Sequence, residues 1–275
     1  MTLKEILDYG RDYLTNHQIE DSQIDARYLL EYVCNIDRLY YLMHSEEEVC
    51  ADTFLLYKKS IEKRARHIPL QHITGEQEFM GLIFKVNEHV LIPRQDTEIL
   101  VEEVLKFTKE SMHVLDMCTG SGCIIISLMK YANHISGVGV DISREALEVA
   151  KKNAENHCFN VKFINSNLFE NIEGKFDMIV SNPPYIPTGD IKNLKYEVKA
   201  YDPLLALDGK EDGLYFYTKI IEESVHYLKK NGLLFLEIGY NQGEKVKHLM
   251  LEHKFKEIKI VKDLTGLNRV IYGRT

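Results

Sequence analysis

The chain has 275 residues, which exceeds a typical single domain, so we expect one domain of ordinary size and a smaller one. Its 45% hydrophobic and 28% charged residues are typical of a globular protein, and the net charge of −8 argues against a large non-specific grip on nucleic acid. No apolar stretch has the length of a membrane span, and the N-terminus lacks a secretory-signal pattern. We therefore expect a cytoplasmic protein with no membrane contact and no direct nucleic acid binding.

Residues 1–74 are predicted to form a small helical bundle. Thr2, Ser22 and Ser45 each stand three positions before an acidic residue, a pattern typical of helix N-caps, and apolar residues recur between them at helical spacing. One predicted helix carries a run of basic side chains, which we interpret as a solvated face. These residues are Lys58, Lys59, Lys63, Arg64 and Arg66.

The next two segments are a predicted β-hairpin linker at 75–95 and an alternating α/β domain at 96–275. A predicted helix before Asn231-Gly232 ends at that pair, and 186–212 shows no periodicity, which makes it a candidate substrate-facing loop. The alternation predicts a doubly wound, mostly parallel sheet of seven strands, with ligands bound at the carboxyl ends of the strands. The strands are predicted at 113–117, 137–140, 161–164, 176–180, 233–236, 258–261 and 270–272.

The five cysteines point to no special chemistry. They form no C-x-x-C pair, and no histidine lies at zinc-ligand spacing from them. We expect reduced thiols and no metal site. The cysteines are Cys34, Cys50, Cys118, Cys123 and Cys158.

A glycine turn follows the first strand of the α/β domain. Gly120 and Gly122 allow close approach of the backbone to a ligand at the start of a helix. Asp141 ends the next strand, where a carboxylate can accept hydrogen bonds from both hydroxyls of a ribose. A nicotinamide dinucleotide would fit this pattern too, but Ile125 occupies the place of the third glycine in the dinucleotide fingerprint.

The tetrapeptide Asn182-Pro183-Pro184-Tyr185 follows the fourth strand of the series. Asn182 offers a side-chain carbonyl and Pro183 a main-chain carbonyl on a stiff backbone, so together they can hold both hydrogens of a planar NH2 group. Tyr185 can lie flat against that group. We predict that all four residues bind the substrate and that Asn182, Pro183 and Tyr185 are catalytic. The alternative is a proline-terminated strand end with a capping Asn.

These features favour S-adenosylmethionine as the cofactor. The planar-nitrogen pocket lies at the switch point of the predicted sheet, beside the place of the cofactor's reactive end. Asn167 and Leu168, at the close of the third strand, fall where an adenine ring would lie. Asn167 could reach its edge and Leu168 could cover its face.

Nearly the whole chain resembles the HemK/PrmC family of release-factor glutamine methyltransferases. Cys118, Asn167 and Asp202 depart from the pattern, where Gly, Asp and Glu are commoner. Besides the N-P-P-Y motif, the segments that carry the resemblance are Pro69-Leu70-Gln71-His72-Ile73-Thr74-Gly75-Glu76, Phe79-Met80-Gly81-Leu82-Ile83-Phe84-Lys85-Val86, Leu91-Ile92-Pro93-Arg94-Gln95-Asp96-Thr97-Glu98 and Tyr201-Asp202-Pro203-Leu204-Leu205-Ala206-Leu207-Asp208-Gly209.

The resemblance implies a class I, Rossmann-like methyltransferase that uses S-adenosylmethionine and releases S-adenosylhomocysteine. The methyl group would go to the side-chain amide nitrogen of the glutamine in the Gly-Gly-Gln motif of peptide chain release factors. The helical bundle would be the docking domain for that partner, with a stabilising or dimer-forming appendage as the alternative. The residues implied for the cofactor are Cys118, Thr119, Gly120, Ser121, Gly122, Asp141, Asn167, Leu168 and Asn182.

Other functions stay open on sequence alone. An adenine-N6 or other nucleic acid amino-methyltransferase would use the same pocket, although the acidic charge disfavours it. A nucleotide-dependent dehydrogenase would leave the N-P-P-Y motif unexplained, and a non-catalytic module would be expected to have lost part of the site. Arg94 either contacts the cofactor or forms a structural ion pair with Asp96 or Glu98.

Overall fold

The computed structural model describes residues 1–275, with nine strands and twelve α-helices. The strands are β1 (Glu76–Phe79), β2 (Leu82–Lys85), β3 (His113–Met117), β4 (Ser136–Asp141), β5 (Lys162–Asn165), β6 (Phe176–Ser181), β7 (Leu228–Glu237), β8 (Lys256–Lys262) and β9 (Asn268–Arg274). The helices are α1 (Leu3–Asn16), α2 (Ser22–Cys34), α3 (Arg38–His44), α4 (Ala51–Arg64), α5 (Leu70–Thr74), α6 (Gln95–Leu105), α7 (Cys123–Tyr131), α8 (Arg144–Asn156), α9 (Tyr196–Tyr201), α10 (Leu204–Leu207), α11 (Tyr215–Tyr227) and α12 (Gly243–Glu252). None of the helices is both long enough and apolar enough to cross a membrane.

The chain divides into two units. The first contains Met1–Glu76 and Lys195–Tyr201, and the second contains Gln77–Leu194 and Asp202–Thr275. The segment 195–201 therefore groups with the N-terminal helices, whereas the sequence placed it within the domain 96–275. Nothing in its hydrophobic pattern indicates this grouping, which depends on contacts between residues distant in sequence.

Only the first of the three N-caps expected in the N-terminal unit is present. Thr2 and Glu5 form a capping box at the start of α1. The other two predictions were wrong. Ser22 is already inside α2, where its hydroxyl accepts a hydrogen bond from Thr15. Ser45 ends α3, and its carbonyl accepts from the backbone of Lys4, so this segment pairs with the chain start instead of beginning a helix.

Arg64 corrects the expected solvated face of α4. Its side chain is buried, with Nε 2.6 Å from Oδ2 of Asp25 and Nη1 2.8 Å from Oε1 of Glu197. Burial raises the pKa of Asp25, while its hydrogen bond with Arg64 opposes that rise. These ion pairs are internal to the N-terminal unit and connect α2, α4 and α9. Arg64 is therefore a structural residue, although it belongs to a run of basic residues in the sequence.

The second unit contains the predicted seven-stranded sheet, in the order β5-β4-β3-β6-β7-β9-β8. Strands β3 to β7 pair in parallel, and β9 is antiparallel to both of its neighbours. The chain runs outward from β3 through β4 and β5 and then crosses to β6 on the other side of β3. The carboxyl ends of β3 and β6 therefore form a topological switch point, where open α/β sheets bind ligands.

Alternate residues of the central strands pack into two apolar layers. Val114 of β3 and Phe235 of β7 pack on the face covered by α6 and α7. Leu115 and Leu236 pack on the opposite face, with α11 and α12. Both faces of the sheet are thus buried, which accounts for the nearly continuous apolar strands that a parallel sheet requires.

One local prediction in this unit was wrong. Helix α11 ends at Tyr227, and Asn231 lies inside β7 with φ of 61°, at an irregularity where the register with β6 shifts. Gly232 therefore belongs to a bulged strand and not to a helix end. The region 186–212, expected as a loop, contains a 3-10 helix (Thr188–Asn193), α9 and α10, which are too short to give a clear periodicity. Its substrate-facing role stays a prediction.

Candidate active site

A cavity of about 400 Å³ lies at the carboxyl ends of β3, β4 and β6, within the size range of small-molecule sites. Its wall runs from Glu88 to Phe216 and so brings together residues distant in the chain. The predicted residues in its wall are Cys118, Thr119, Gly120, Ser121, Asp141, Asn167, Leu168, Asn182 and Pro184. Gly122, Pro183 and Tyr185, also predicted, are not part of the wall.

Hydrogen bonds hold the glycine turn after β3 in one shape. The hydroxyl of Thr119 donates to Oδ2 of Asp116 at 2.6 Å, and the N–H of Gly120 donates to Oδ2 of Asp141 at 2.9 Å. Gly122 is the N-cap of α7 with φ of 79°, a conformation that a side chain disfavours. The backbone of the turn therefore faces the cavity in a fixed position.

Asp141 and Glu88 are the acidic residues of the cavity wall, and Asp141 stands beside the glycine turn. Its second oxygen accepts from the N–H of Ser143 at 2.9 Å. Burial raises the pKa of this carboxyl, and hydrogen bonds from Ser143 and Gly120 oppose the rise. Each carboxylate oxygen has a further lone pair, so Asp141 can still accept hydroxyl donors from a ligand.

Asn167 and Leu168 form the wall after β5. The side-chain nitrogen of Asn167 donates to Oε1 of Glu170 at 2.7 Å. This bond leaves its carbonyl oxygen as the acceptor for a ligand amino group. Leu168 contributes an apolar surface to the wall from a backbone with φ of 49°.

Asn182 lines the cavity directly after β6. Its Nδ2 donates to Oγ1 of Thr97 in α6 at 3.2 Å. Behind it, Oγ of Ser181 donates to the carbonyl of Met117 at 2.6 Å, which ties the ends of β6 and β3 together. The amide is therefore held by its nitrogen, and its oxygen is the end left for a ligand.

Tyr185 is partly buried next to the cavity. Its carbonyl accepts from Nε2 of Gln242 at 2.9 Å, while Oε1 of Gln242 accepts from the N–H of Gly239 and the hydroxyl of Tyr217. Burial raises the pKa of Tyr185 to about 12, so its phenol is neutral. Gln242 thus fixes the backbone of the N-P-P-Y segment, a role that its place in the sequence did not indicate.

The segment at 201–209 supports the same backbone. The N–H of Ile186 donates to the carbonyl of Leu207, and the N–H of Gly209 donates to the carbonyl of Ile186. A Cβ at Gly209 would lie 2.7 Å from the backbone of Tyr185, so only glycine fits there. This signature segment therefore packs as a buttress beside the N-P-P-Y loop.

Arg94 lines the cavity and forms an ion pair, but with a different partner from those expected. Its Nη2 lies 2.6 Å from Oδ2 of Asp202, which is almost fully buried. Asp96 pairs instead with Arg269 at 3.0 Å, and Glu98 accepts from the N–H of Met80 at 2.6 Å. The expected partners, Asp96 and Glu98, lie on the helix that Arg94 precedes. The actual partner, Asp202, is 108 residues away in the sequence.

Three buried side chains that the sequence reasoning did not select support the site. They are Thr97, Asp116 and Glu237. Burial raises the pKa of Asp116 and of Glu237 to about 7 in each case. An acidic residue in the last two positions of an otherwise apolar strand is the signal that could have found both carboxyls.

Cys118 is a neutral part of the wall. Its φ is 61°, a backbone conformation that glycine adopts more readily. Burial raises the pKa of its thiol, so a thiolate is disfavoured. The side chain at this departure from the family pattern therefore adds volume and apolar surface and no charge.

The sheet order and the cavity at its switch point define the class I, Rossmann-like fold of S-adenosylmethionine-dependent methyltransferases. A methyltransferase from Pyrococcus furiosus has a similar structure, with a TM-score of 0.55 and 19% identity, covering 80% of this chain and 95% of that one. At that identity the likeness concerns the fold alone.

Sequence comparison identifies the family. Residues 5–75 match the PrmC N-terminal domain, and residues 94–198 match the methyltransferase small domain. The release factor glutamine methyltransferase of Geobacter sulfurreducens is 39% identical over 99% of this chain and 96% of its own length. That of Thermodesulfovibrio yellowstonii is 41% identical over 90% of each chain. The chain belongs to the release factor glutamine methyltransferase family.

Proposed function

We propose that this protein transfers a methyl group from S-adenosylmethionine to the side-chain amide nitrogen of the glutamine in the Gly-Gly-Gln motif of peptide chain release factors. The observation that carries the proposal is the placement of Asn182 at the cavity, with its amide nitrogen engaged by Thr97. An acceptor fixed in this way suits a substrate NH2 group. Family membership favours glutamine as its source.

The donor set of the cavity fits S-adenosylmethionine. Asp141 would accept the ribose hydroxyls, Asn167 the adenine amino group, and Leu168 would cover the ring. The backbone of residues 118–121 would border the methionine part. When bound, the cofactor supplies a methyl group on a positively charged sulfur. The side chains then serve to orient and desolvate the acceptor nitrogen.

The amide nitrogen of glutamine is a weak nucleophile because its lone pair is delocalised. Asn182 Oδ1 would accept one of its hydrogens, and the carbonyl of Pro183 the other. Tyr185 would pack against the planar group as a neutral ring. These contacts would aim the nitrogen and exclude water, so catalysis depends mainly on positioning.

The N-terminal unit would bind the body of the release factor, because a glutamine tip offers little contact area. Exposed apolar side chains on α2, α3 and α4 support this role. Leu42 is 64% exposed and Met43 is 70% exposed. Such side chains suit a protein interface in which apolar anchors provide most of the binding energy. Translation termination occurs in the cytoplasm, where we expect the protein to act.

The test is incubation of the purified chain with radiolabelled S-adenosylmethionine and a release factor, beside the same factor with its Gly-Gly-Gln glutamine replaced by glutamate. Label on the wild-type factor alone is the expected result. A parallel incubation contains DNA and RNA as acceptors. Label on nucleic acid but not on the factor would favour the amino-methyltransferase that uses the same pocket.

A further inference from the structure

Glu237 is a buried carboxyl that lies next to the candidate site without lining the cavity. It is the last residue of β7 and is 2% exposed, and its Oε2 has no hydrogen-bond partner. Leu236 and Ser181 are register partners on the parallel strands β7 and β6. Glu237 and Asn182 are therefore the next residues along two adjacent strands, at the same edge of the sheet.

The Glu237 carboxyl lies beside the side chains of Asn182 and Thr97. Thr97 and Asn182 both interact with the Glu237 carboxyl through their side chains, and the two are joined by the 3.2 Å bond from Nδ2 to Oγ1. Thr97 Oγ1 accepts from Asn182, so its own hydrogen is free to go to the carboxylate. A carboxylate is acceptor-only, so Thr97 and Asn182 can only donate to it.

We infer that Glu237 is a positioning residue whose carboxylate keeps the amide nitrogen of Asn182 facing the interior and its carbonyl oxygen facing the substrate NH2. This inference rests on the proposed function. Asn182 touches the acceptor group, whereas Glu237 acts through Asn182 and Thr97.

The protonated form of Glu237 would lose this control. A carboxylic acid can donate to Thr97, and the Thr97 hydroxyl can then donate to a reversed amide. A reversed Asn182 would present its NH2 to the substrate NH2, two donors facing each other. Burial raises the pKa of Glu237 to about 7, so the switch between the two forms falls near neutral pH.

Other charged or titratable groups face Glu237 from every packed element. Arg269 favours the carboxylate, and Asp96 disfavours it. Arg269 is held by Asp96 and by Asp263, at 3.0 and 3.1 Å. The remaining groups are Cys123 on α7, Tyr185 in the N-P-P-Y loop and Tyr217 on α11, whose hydroxyl donates to the Glu237 carbonyl. All three stay neutral near pH 7, because burial raises the pKa of each.

A purely structural role explains this residue poorly. An unpaired carboxyl oxygen in the interior costs stability, and an apolar side chain would avoid that cost. A carboxylate can accept from both Asn182 and Thr97 and has no hydrogen of its own to donate. The loss of stability from burying Glu237 is therefore explained by its effect on the orientation of the Asn182 amide at the cavity.

The test is the pH profile of kcat for wild type and Glu237→Gln, with saturating S-adenosylmethionine and release factor, between pH 6 and 9. Wild-type kcat should rise as the pH passes through about 7, because the carboxylate form is the competent one. Glu237→Gln should have kcat lowered roughly ten- to hundredfold, without that rise, since misplacement of a reacting group costs this much. Its cofactor affinity, from calorimetry, should stay within about threefold of wild type, the range expected when no cofactor contact is lost.

Glu103→Gln is the matched control, because Glu103 is a buried carboxyl of α6 outside the cavity wall. It should keep the wild-type profile. If Glu237→Gln does not fold, Thr97→Val tests the inference instead. It should lower kcat by a similar factor, because it removes the hydroxyl between the side chains of Glu237 and Asn182. A folded Glu237→Gln with the wild-type kcat and profile, or Thr97→Val with the wild-type kcat, would overturn the inference. A wild-type chain that methylates no release factor would instead overturn the proposed function.

Discussion

Nδ2 of Asn182 donates a hydrogen bond to Oγ1 of Thr97 across 85 residues of sequence, at 3.2 Å. The bond joins the N-P-P-Y motif to the segment Leu91-Ile92-Pro93-Arg94-Gln95-Asp96-Thr97-Glu98. Other residues of that segment are also committed to contacts in the second unit, with Asp96 paired to Arg269 and Glu98 accepting from Met80. The segment thus accompanies the motif in the sequence because it supports the motif in the fold.

Replacement of Asn182 by Ala should lower kcat about 10²- to 10³-fold, the cost of losing a well-placed hydrogen-bonding group at a reacting centre. Cofactor affinity should change much less, since Asp141 and the glycine turn remain. Asp141→Asn is the contrasting variant, with cofactor affinity lowered roughly tenfold through loss of charge-assisted hydrogen bonds. Single-turnover kinetics and calorimetry measure the two quantities. Equal losses of kcat and cofactor affinity in Asn182→Ala would contradict the assigned role.

Gly122→Ala should destabilise the second unit by more than the backbone cost alone. Its φ is 79°, and a Cβ there would lie 3.1 Å from Cδ1 of Ile126 and 3.2 Å from Cβ of Ala150. Gly174 has φ of 91° and no atom within 4 Å of a built Cβ, so Gly174→Ala isolates the backbone term, roughly 1 kcal/mol. Urea unfolding compares the two variants. Equal losses would mean that the contacts with Ile126 and Ala150 relax freely.

Asp116 should make the protein less stable as the pH rises from about 4 to 7. Burial raises its pKa from 3.8 to about 7, so across this range the folded state keeps a proton that the unfolded state has lost. The stabilisation is complete below the unfolded pKa and is lost as the pH passes through the folded value, by on the order of a few kcal/mol. Asp116→Asn removes this titration.

The measurement is urea unfolding of wild type and Asp116→Asn at several pH values between 4 and 8. The variant should gain stability relative to wild type as the pH rises, because Asn keeps an acceptor for Thr119 and carries no charge. Glu237 titrates in both proteins and so cancels in the difference. Parallel stability curves would show that Asp116 does not hold a proton in the folded state.

The double variant Leu42→Ser and Met43→Ser should weaken recognition of intact release factor. Loss of two apolar contact residues should raise KM about fivefold or more, with kcat nearly unchanged. Activity on a short Gly-Gly-Gln peptide should stay at the wild-type level. Leu264→Ser is the control, because Leu264 is fully exposed in the second unit. Equal effects on factor and peptide would argue that the N-terminal unit serves stability and not docking.

The sequence predicted regular elements well where a strand is buried on both faces or where apolar residues recur at a regular spacing. Strand β3 has the predicted limits, 113–117, and the sheet has the seven strands expected. Asn231-Gly232 was misread because a positive φ serves a bulge within a strand as well as a helix end. Local sequence does not distinguish the two, since the choice depends on pairing with β6 and β9.

The candidate site was predictable to the extent that its residues follow strand ends. Asp141, Asn167 and Asn182 meet at the cavity because parallel strands end at one edge of the sheet. The supporting contacts were not predictable, since Thr97, which binds the Asn182 amide, and Gln242, which binds the Tyr185 backbone, come from other elements. Which residues make these contacts depends on three-dimensional packing, and the spacing of residues along the chain does not show it.

The most direct test of the central claim is tandem mass spectrometry of a release factor after incubation with this protein and S-adenosylmethionine. We expect one added methyl group on the side-chain nitrogen of the Gly-Gly-Gln glutamine, and strongly reduced methylation with the Asn182→Ala variant. A methyl group on another residue of the factor, or equal methylation of that glutamine by the variant, would contradict it.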